Sequence, residues 1–166
     1  MFTTIPILLS ALSLASADPA PPDQTVISSD DAAYRCFRQA QRRRAGPDAL
    51  RICTLAIERS RTAHNRKASH VNRGVIRYNA ADYALAIEDF TAAIEDYGSK
   101  DARVFVNRGL AYEMVAPGDP KREALARADY EAALRARPDN KVAASRLEAL
   151  KLPYLERRPL RYRTIT

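Results

Sequence analysis

Residues 67–99, KASHVNRGVIRYNAADYALAIEDFTAAIEDYGS, decide the fold, because the chain repeats this stretch imperfectly on both sides. Its apolar residues recur three and four positions apart, which predicts two amphipathic helices joined by a tight turn. Gly74 recurs as Gly109, and four residues of the second helix recur both upstream and downstream. Those sets are Ala86, Phe90, Ala93 and Ile94; Ala126, Tyr130, Ala133 and Leu134; and Ala49, Cys53, Ala56 and Ile57. Self-similarity of about 30 to 40 residues indicates a stacked array of helical hairpins.

Helical spacing, N-cap residues and prolines place seven helices along the chain. The predicted helices cover about 31–43, 47–60, 65–79, 82–97, 102–115, 120–137 and 141–151. They form hairpins over about 31–61, 65–98 and 102–138, followed by a capping helix, so the repeat domain covers residues 29–151. The turn at residues 116–119 is expected to be about five residues longer than its counterpart after Tyr78, which would widen the rim of a groove.

The composition favours helix and a basic surface. Charged residues make up 28% of the 166 residues, glycines number five, and the formal net charge is +7. One cluster is Arg42 to Arg44, and residues 152–166 are predicted to be an extended basic tail. The tail arginines are Arg157, Arg158, Arg161 and Arg163. A basic balance favours anionic partners, although charge runs on helical proteins more often form a solvated surface.

Residues 1–17 are interpreted as an export signal. An apolar run ends in Ala15-Ser16-Ala17, a small-x-small cleavage site, just before Asp18. The segment before the run departs from the usual pattern because it carries no Lys or Arg, and the alternative is a retained amino terminus. The run is too short to span a bilayer. We therefore expect a periplasmic or secreted protein, with residues 18–28 as a proline-containing flexible linker.

Export would place the two cysteines in an oxidising compartment. An oxidising compartment permits a disulfide between Cys36 and Cys53, which the prediction places on the two helices of the first hairpin. Two buried free thiols are the alternative. A catalytic use is not expected, because the pair does not form a CxxC motif.

Glycine in the middle of a helix costs about 1 kcal/mol relative to alanine. Gly74 and Gly109 occupy matching positions in predicted helices, so a steric need is expected, with another helix backbone approaching each glycine. Phe90 and Tyr130 are expected to fill the larger gap one turn on.

The repeated residues closely resemble the tetratricopeptide repeat family. In the third hairpin the matching residues are Gly109, Tyr112, Ala126, Tyr130, Ala133 and Pro138. In the second hairpin they are Gly74, Tyr83, Ala86, Phe90 and Ala93, while Arg77 replaces a tyrosine and Gly98 replaces the proline. The resemblance is strong over about residues 67–140 and weaker over 31–61. It implies an all-α, right-handed α-α superhelix of about three hairpins and a C-terminal capping helix.

The resemblance also implies that the first helices line a concave groove that binds a peptide or a segment of another protein. An asparagine precedes each repeated glycine by two positions, and its amide can donate to and accept from a peptide backbone. The predicted groove residues are Asn72, Val75, Tyr78, Asn79, Arg103, Asn107 and Leu110. Apart from Arg103, cations that would hold a carboxylate terminus are not evident. The alternative is that Asn-Arg-Gly is simply solvated.

No pattern for catalysis, a metal or a cofactor is evident. The two histidines are six residues apart, and there is no phosphate loop or GxSxG motif. The adjacent pairs Glu88-Asp89 and Glu95-Asp96 are interpreted as surface charge. We therefore expect a non-enzymatic protein-binding module without metal or cofactor. The alternatives are binding of an anionic envelope polymer or nucleic acid by the arginine clusters, or a helper domain of an enzyme complex.

Overall fold

A computed structural model describes residues 29–157, which form an all-α structure without strands in that range. The helices are α1 (Ser29–Gln41), α2 (Pro47–Arg59), α3 (Ala63–Asn79), α4 (Tyr83–Glu95), α5 (Ala102–Val115), α6 (Pro120–Ala136) and α7 (Lys141–Ala149). A short 3-10 helix follows at Tyr154–Glu156. The all-α prediction is confirmed. The predicted signal peptide, the predicted linker and three tail arginines, Arg158, Arg161 and Arg163, lie outside the described residues.

The helix ends follow local chemistry, and none differs from its predicted position by more than two residues. Polar side chains cap the amino-terminal ends: Asp101 accepts a hydrogen bond from the Arg103 amide (2.9 Å), and Asn140 accepts from the Ala143 amide (3.0 Å). Pro47 opens α2 where a missing N–H leaves no hydrogen bond unmade. Local signals therefore mark most helix ends, although Gly46 before α2 and Asp82 before α4 provide no side-chain cap. In this part of the chain, no helix is long and apolar enough to cross a bilayer.

The helices pack in the order in which they follow one another. Each of α1 to α7 contacts the next, and the first helices of neighbouring hairpins also touch, α1 with α3 and α3 with α5. The buried apolar residues form three clusters along this series, centred on Cys36 and Cys53, on Phe90, and on Tyr130. A series of small cores, each shared by consecutive helices, therefore holds the domain together.

Gly74 and Gly109 make room for aromatic rings. A Cβ at Gly74 would lie 2.7 Å from the Phe90 ring, and one at Gly109 would lie 2.8 Å from the Tyr130 ring. Both rings are fully buried. The steric need is confirmed, but the expected neighbour was wrong: a side chain of the second helix, and not a helix backbone, occupies the space.

In the first hairpin a disulfide takes the place of the ring. Cys53 occupies the position that matches Phe90 and Tyr130, and its sulfur is bonded to Cys36 in α1, with the two Cα atoms 4.7 Å apart. Both cysteines are completely buried. The predicted bridge is confirmed, and it joins the two helices where the other hairpins use a ring against a glycine.

The expected long turn between α5 and α6 is wrong. That turn, residues 116–119, is one residue longer than the turn at residues 80–82. The other additional residues extend the helices, because α5 continues one residue further past its glycine and α6 begins three residues earlier before its first matching alanine. The insertion therefore lengthens the third hairpin instead of widening a loop.

The prediction of an extended tail from residue 152 is wrong for its first part. Residues 154–156 form a 3-10 turn, and the Tyr154 ring lies against Gly118. Arg157 donates two hydrogen bonds to the Glu123 carboxylate in α6, at 2.5 and 2.8 Å, and its side chain is only 10% exposed. The segment up to Arg157 therefore packs back onto the third hairpin.

Candidate functional site: a cleft lined by the first helices

A cleft of about 650 Å³ opens between α1, α3 and α5. Its volume lies in the range of cavities that enclose a small ligand. The lining residues are Phe37, Ala40, Gln41, Arg43, His64, Lys67, Ala68, Val71, Asn72, Val75, Asn79, Ser99, Lys100, Asp101, Arg103, Val104 and Asn107. The first helix of every hairpin contributes, together with the connection that leads into α5.

Five of the seven predicted groove residues line this cleft, namely Asn72, Val75, Asn79, Arg103 and Asn107. Tyr78 and Leu110 are not among its lining residues. The Tyr78 ring packs edge-on against the Tyr83 ring, with centroids 5.3 Å apart. Leu110 packs against the core cluster around Tyr130.

The three residues of each Asn-Arg-Gly sequence point in three directions, because successive helical residues are about 100° apart. Asn72 faces the cleft, Gly74 faces the Phe90 ring, and Arg73 between them reaches the buried carboxylate of Asp89 in α4. The motif therefore combines one cleft residue with two residues that fix the rotation of α3 against α4.

Asp89 is the centre of a buried ion cluster. Its side chain is 2% exposed and accepts from Arg73 at 2.8 Å, from Arg77 at 2.8 Å and from the His70 ring at 3.0 Å. Arg73 also donates to the Thr54 hydroxyl in α2 at 3.0 Å. One guanidinium thus connects the second helix of the first hairpin to both helices of the second.

The third hairpin repeats this arrangement with fewer cations. Arg108, next to Asn107, donates to Asp129 at 2.8 and 2.9 Å and to the Thr91 hydroxyl at 3.1 Å. At the places equivalent to His70 and Arg77, the third hairpin carries Phe105 and Tyr112. Asp129 therefore relies on a single arginine for close charge compensation.

The pKa values of the two carboxylates are consequently shifted in opposite directions. Burial by itself would raise the pKa of Asp89, but hydrogen bonds from His70 and Arg73 and the charges of Arg73 and Arg77 outweigh burial and hold that pKa below its ordinary value. For Asp129, burial outweighs the hydrogen bond and charge of Arg108, so its pKa is raised. The hydrogen bond from His70 and the charge of Arg77, which Asp129 lacks, therefore account for the difference in sign between the two pKa shifts.

The interpretation of Asp89 as surface charge was wrong. The sequence did hold a signal for its role, because Asp89 precedes Phe90 just as Asp129 precedes Tyr130, and an arginine precedes each repeated glycine. Arg77, which stands where the tetratricopeptide pattern would place a tyrosine, is explained in the same way, since it is a further partner of Asp89.

The surface of the cleft combines an apolar floor with amides and a basic edge. The apolar floor, beside the asparagines, consists of Ala68, Val71 and Val75 of α3 and Val104 of α5. Three cations besides Arg103 line it, namely Arg43, Lys67 and Lys100, which the sequence did not reveal because they come from three separate segments. In the described part of the chain, the Asn79 side-chain nitrogen is buried and donates no hydrogen bond.

Such a cleft can bind a ligand that offers backbone-like polar groups and an apolar side chain. Among residues 29–157, no three His, Cys, Asp or Glu side chains gather as they would around a metal ion. The disulfide occupies both cysteines, so neither is a nucleophile.

Comparison with known proteins adds no assignment. No protein-family model matches the chain, and a search of curated proteins finds no significant match.

Proposed function

We propose that this protein is a non-enzymatic interaction module that binds an extended peptide, or a segment of another protein, in the cleft between α1, α3 and α5. The observation that carries the proposal is the position of Asn72 and Asn107. They occupy matching places in successive hairpins and line the same cleft. Their repetition presents side-chain amides at two places along a ligand, as an extended backbone requires.

The floor of the cleft supports this proposal. Val71, Val75 and Val104 supply apolar area, and burial of a ligand side chain there contributes about 25 cal/mol per Å². A ligand peptide keeps its backbone groups satisfied only if the site offers polar partners, which the asparagines do. The apolar surface can take a peptide side chain, and the neighbouring amides can take its backbone.

The architecture that we propose for this function is a right-handed superhelix of tetratricopeptide type. The contacts between first helices, and the glycine–ring pairs of the second and third hairpins, support it. We further propose an extracytoplasmic location, with which the buried Cys36–Cys53 bridge is compatible.

Polyanion binding by the arginine clusters is the alternative, and Arg43 of one cluster lines the same cleft. Arg157 is already held by Glu123. Salt dependence discriminates the two functions, because binding through phosphate-type charges weakens steeply as salt rises.

The test is selection of peptides from a random display library on the full mature chain, followed by titration of a selected peptide. Asn72→Ala/Asn107→Ala should weaken binding about tenfold or more, since two hydrogen bonds are lost. The matched control is Leu85→Ala/Leu125→Ala, which alters two exposed leucines at equivalent places on α4 and α6. If only the leucine variant loses binding, the outer helices bind the peptide and the cleft proposal fails.

A further inference from the structure

The charged side chains that line the cleft are mostly cationic. Arg43, Lys67, Lys100 and Arg103 line it, whereas the acidic lining of the described chain consists of Asp101. That carboxylate already accepts from the Arg103 guanidinium at 2.6 Å, and this hydrogen bond is the main reason that the pKa of Asp101 is lowered. The negative charge of Asp101 is therefore compensated by the neighbouring Arg103.

Lys67 and Lys100 have no such partner. Within residues 29–157, neither ammonium group makes an ion pair or a hydrogen bond. Lys67 lies in α3, one turn before Val71, and Lys100 lies in the connection that enters α5. Two uncompensated cations beside an apolar wall produce a positive potential that a concave surface concentrates.

The apolar floor limits which anion fits. A polyphosphate or sugar polymer would leave Val71, Val75 and Val104 without an apolar partner. Binding of single-stranded nucleic acid commonly uses several aromatic rings on which successive bases stack, and among the lining side chains only Phe37 and His64 carry a ring. A peptide can supply carboxylates and an apolar side chain together.

We infer that the ligand of this cleft is acidic: an extended peptide in which Asp or Glu residues flank an apolar residue. Its carboxylates pair with Lys67 and Lys100, and its apolar side chain lies on the valine floor. This inference rests on the proposed function and specifies the ligand class for the same site.

The experiment uses three fluorescein-labelled octapeptide mixtures and fluorescence anisotropy. Alternate positions hold random apolar residues, and the remaining positions are all Asp, all Asn or all Lys. The variants of the full mature chain are Lys67→Ala/Lys100→Ala and, as a control with the same change in net charge, Lys121→Ala/Lys141→Ala, which alters two exposed lysines outside the cleft lining.

The Asp mixture should bind wild type about tenfold more tightly than the Asn mixture, as expected for two solvent-facing ion pairs. The Lys67→Ala/Lys100→Ala variant should lose that difference while its affinity for the Asn mixture stays unchanged. The control should change the affinity for the Asp mixture less than twofold.

Equal binding of the Asp and Asn mixtures would overturn the inference and leave the proposed function standing. Equal losses in both lysine variants would also overturn it, because net charge alone would then explain the preference. If inorganic polyphosphate binds in a Lys67- and Lys100-dependent way and no peptide mixture binds, the cleft takes a polyanion and the proposed function fails as well.

Discussion

Opening the Cys36–Cys53 bridge should detach α1 from the array. The residues of α1 that are buried are small, Ala32 and Ala40 besides Cys36, while its large side chains Tyr34 and Phe37 are 58% and 42% exposed. Two alanine methyl groups contribute only about 0.8 kcal/mol each on burial, far less than the ordering of a helix costs. The covalent bond therefore holds this helix.

The magnitude follows from the length of the closed loop. The bridge spans a sequence separation of 17 residues, for which the chain-entropy model gives about 3 kcal/mol of stabilisation. Reduction of the wild-type protein should lower the free energy of unfolding by about that amount. Cys36→Ala/Cys53→Ala should lose slightly more, because two buried sulfur atoms disappear as well.

Urea unfolding followed by circular dichroism measures the loss, with and without a reductant. Hydrogen exchange then locates it: amides of α1 should exchange much faster after reduction, while those of α5 and α6 change little. The variant without cysteines is the control for the reductant and should not respond to it.

A loss below about 1 kcal/mol, or exchange that rises equally in all helices, would refute this reasoning. The packing of α1 would then hold it without the bridge. Because Phe37 and Ala40 line the cleft, the same reduction should also weaken capture of a selected peptide.

Five further substitutions, two of them comparisons, test the buried contacts by urea unfolding or hydrogen exchange. Gly74→Ala should lower the free energy of unfolding by about 1–3 kcal/mol, because its Cβ overlaps a buried ring. Gly46→Ala, with open space around it, should lower the free energy of unfolding by under about 1 kcal/mol. Asp89→Asn should cost about 3–5 kcal/mol at neutral pH; because the folded-state pKa of Asp89 is lowered, this cost should shrink as the pH falls below 3.8. The pKa of Asp129 is raised instead of lowered. Asp129→Asn should therefore reduce the free energy of unfolding by less than Asp89→Asn does, and this reduction should not shrink as the pH falls. Arg157→Ala should speed amide exchange in residues 152–157 and leave α1 to α4 unchanged.

The candidate site was predictable where it follows the helical repeat. Asn72 and Asn107 were found because they precede the repeated glycines, and helical spacing then added Val75 and Asn79. The same spacing also selected Tyr78, which does not line the cleft, since spacing does not show which side chains turn towards the neighbouring helix. Lys67 and Lys100 escaped notice because their shared environment depends on how α3 meets the start of α5.

The sequence by itself determined the seven helices, their approximate ends and the placement of both cysteines in one hairpin, while the structure decided that the cysteines are bridged. These features depend on local spacing, caps and prolines, which act within a few residues. Only the tertiary structure decided that Asp89 lies buried against two arginines and a histidine, that the Phe90 ring occupies the space above Gly74, and that Arg157 turns back to Glu123. The sequence does not show whether a charged side chain is solvated or pairs with an arginine 16 residues away, as Asp89 does with Arg73. Its role is set by the packing of helices, and that packing also gives the cleft its charge.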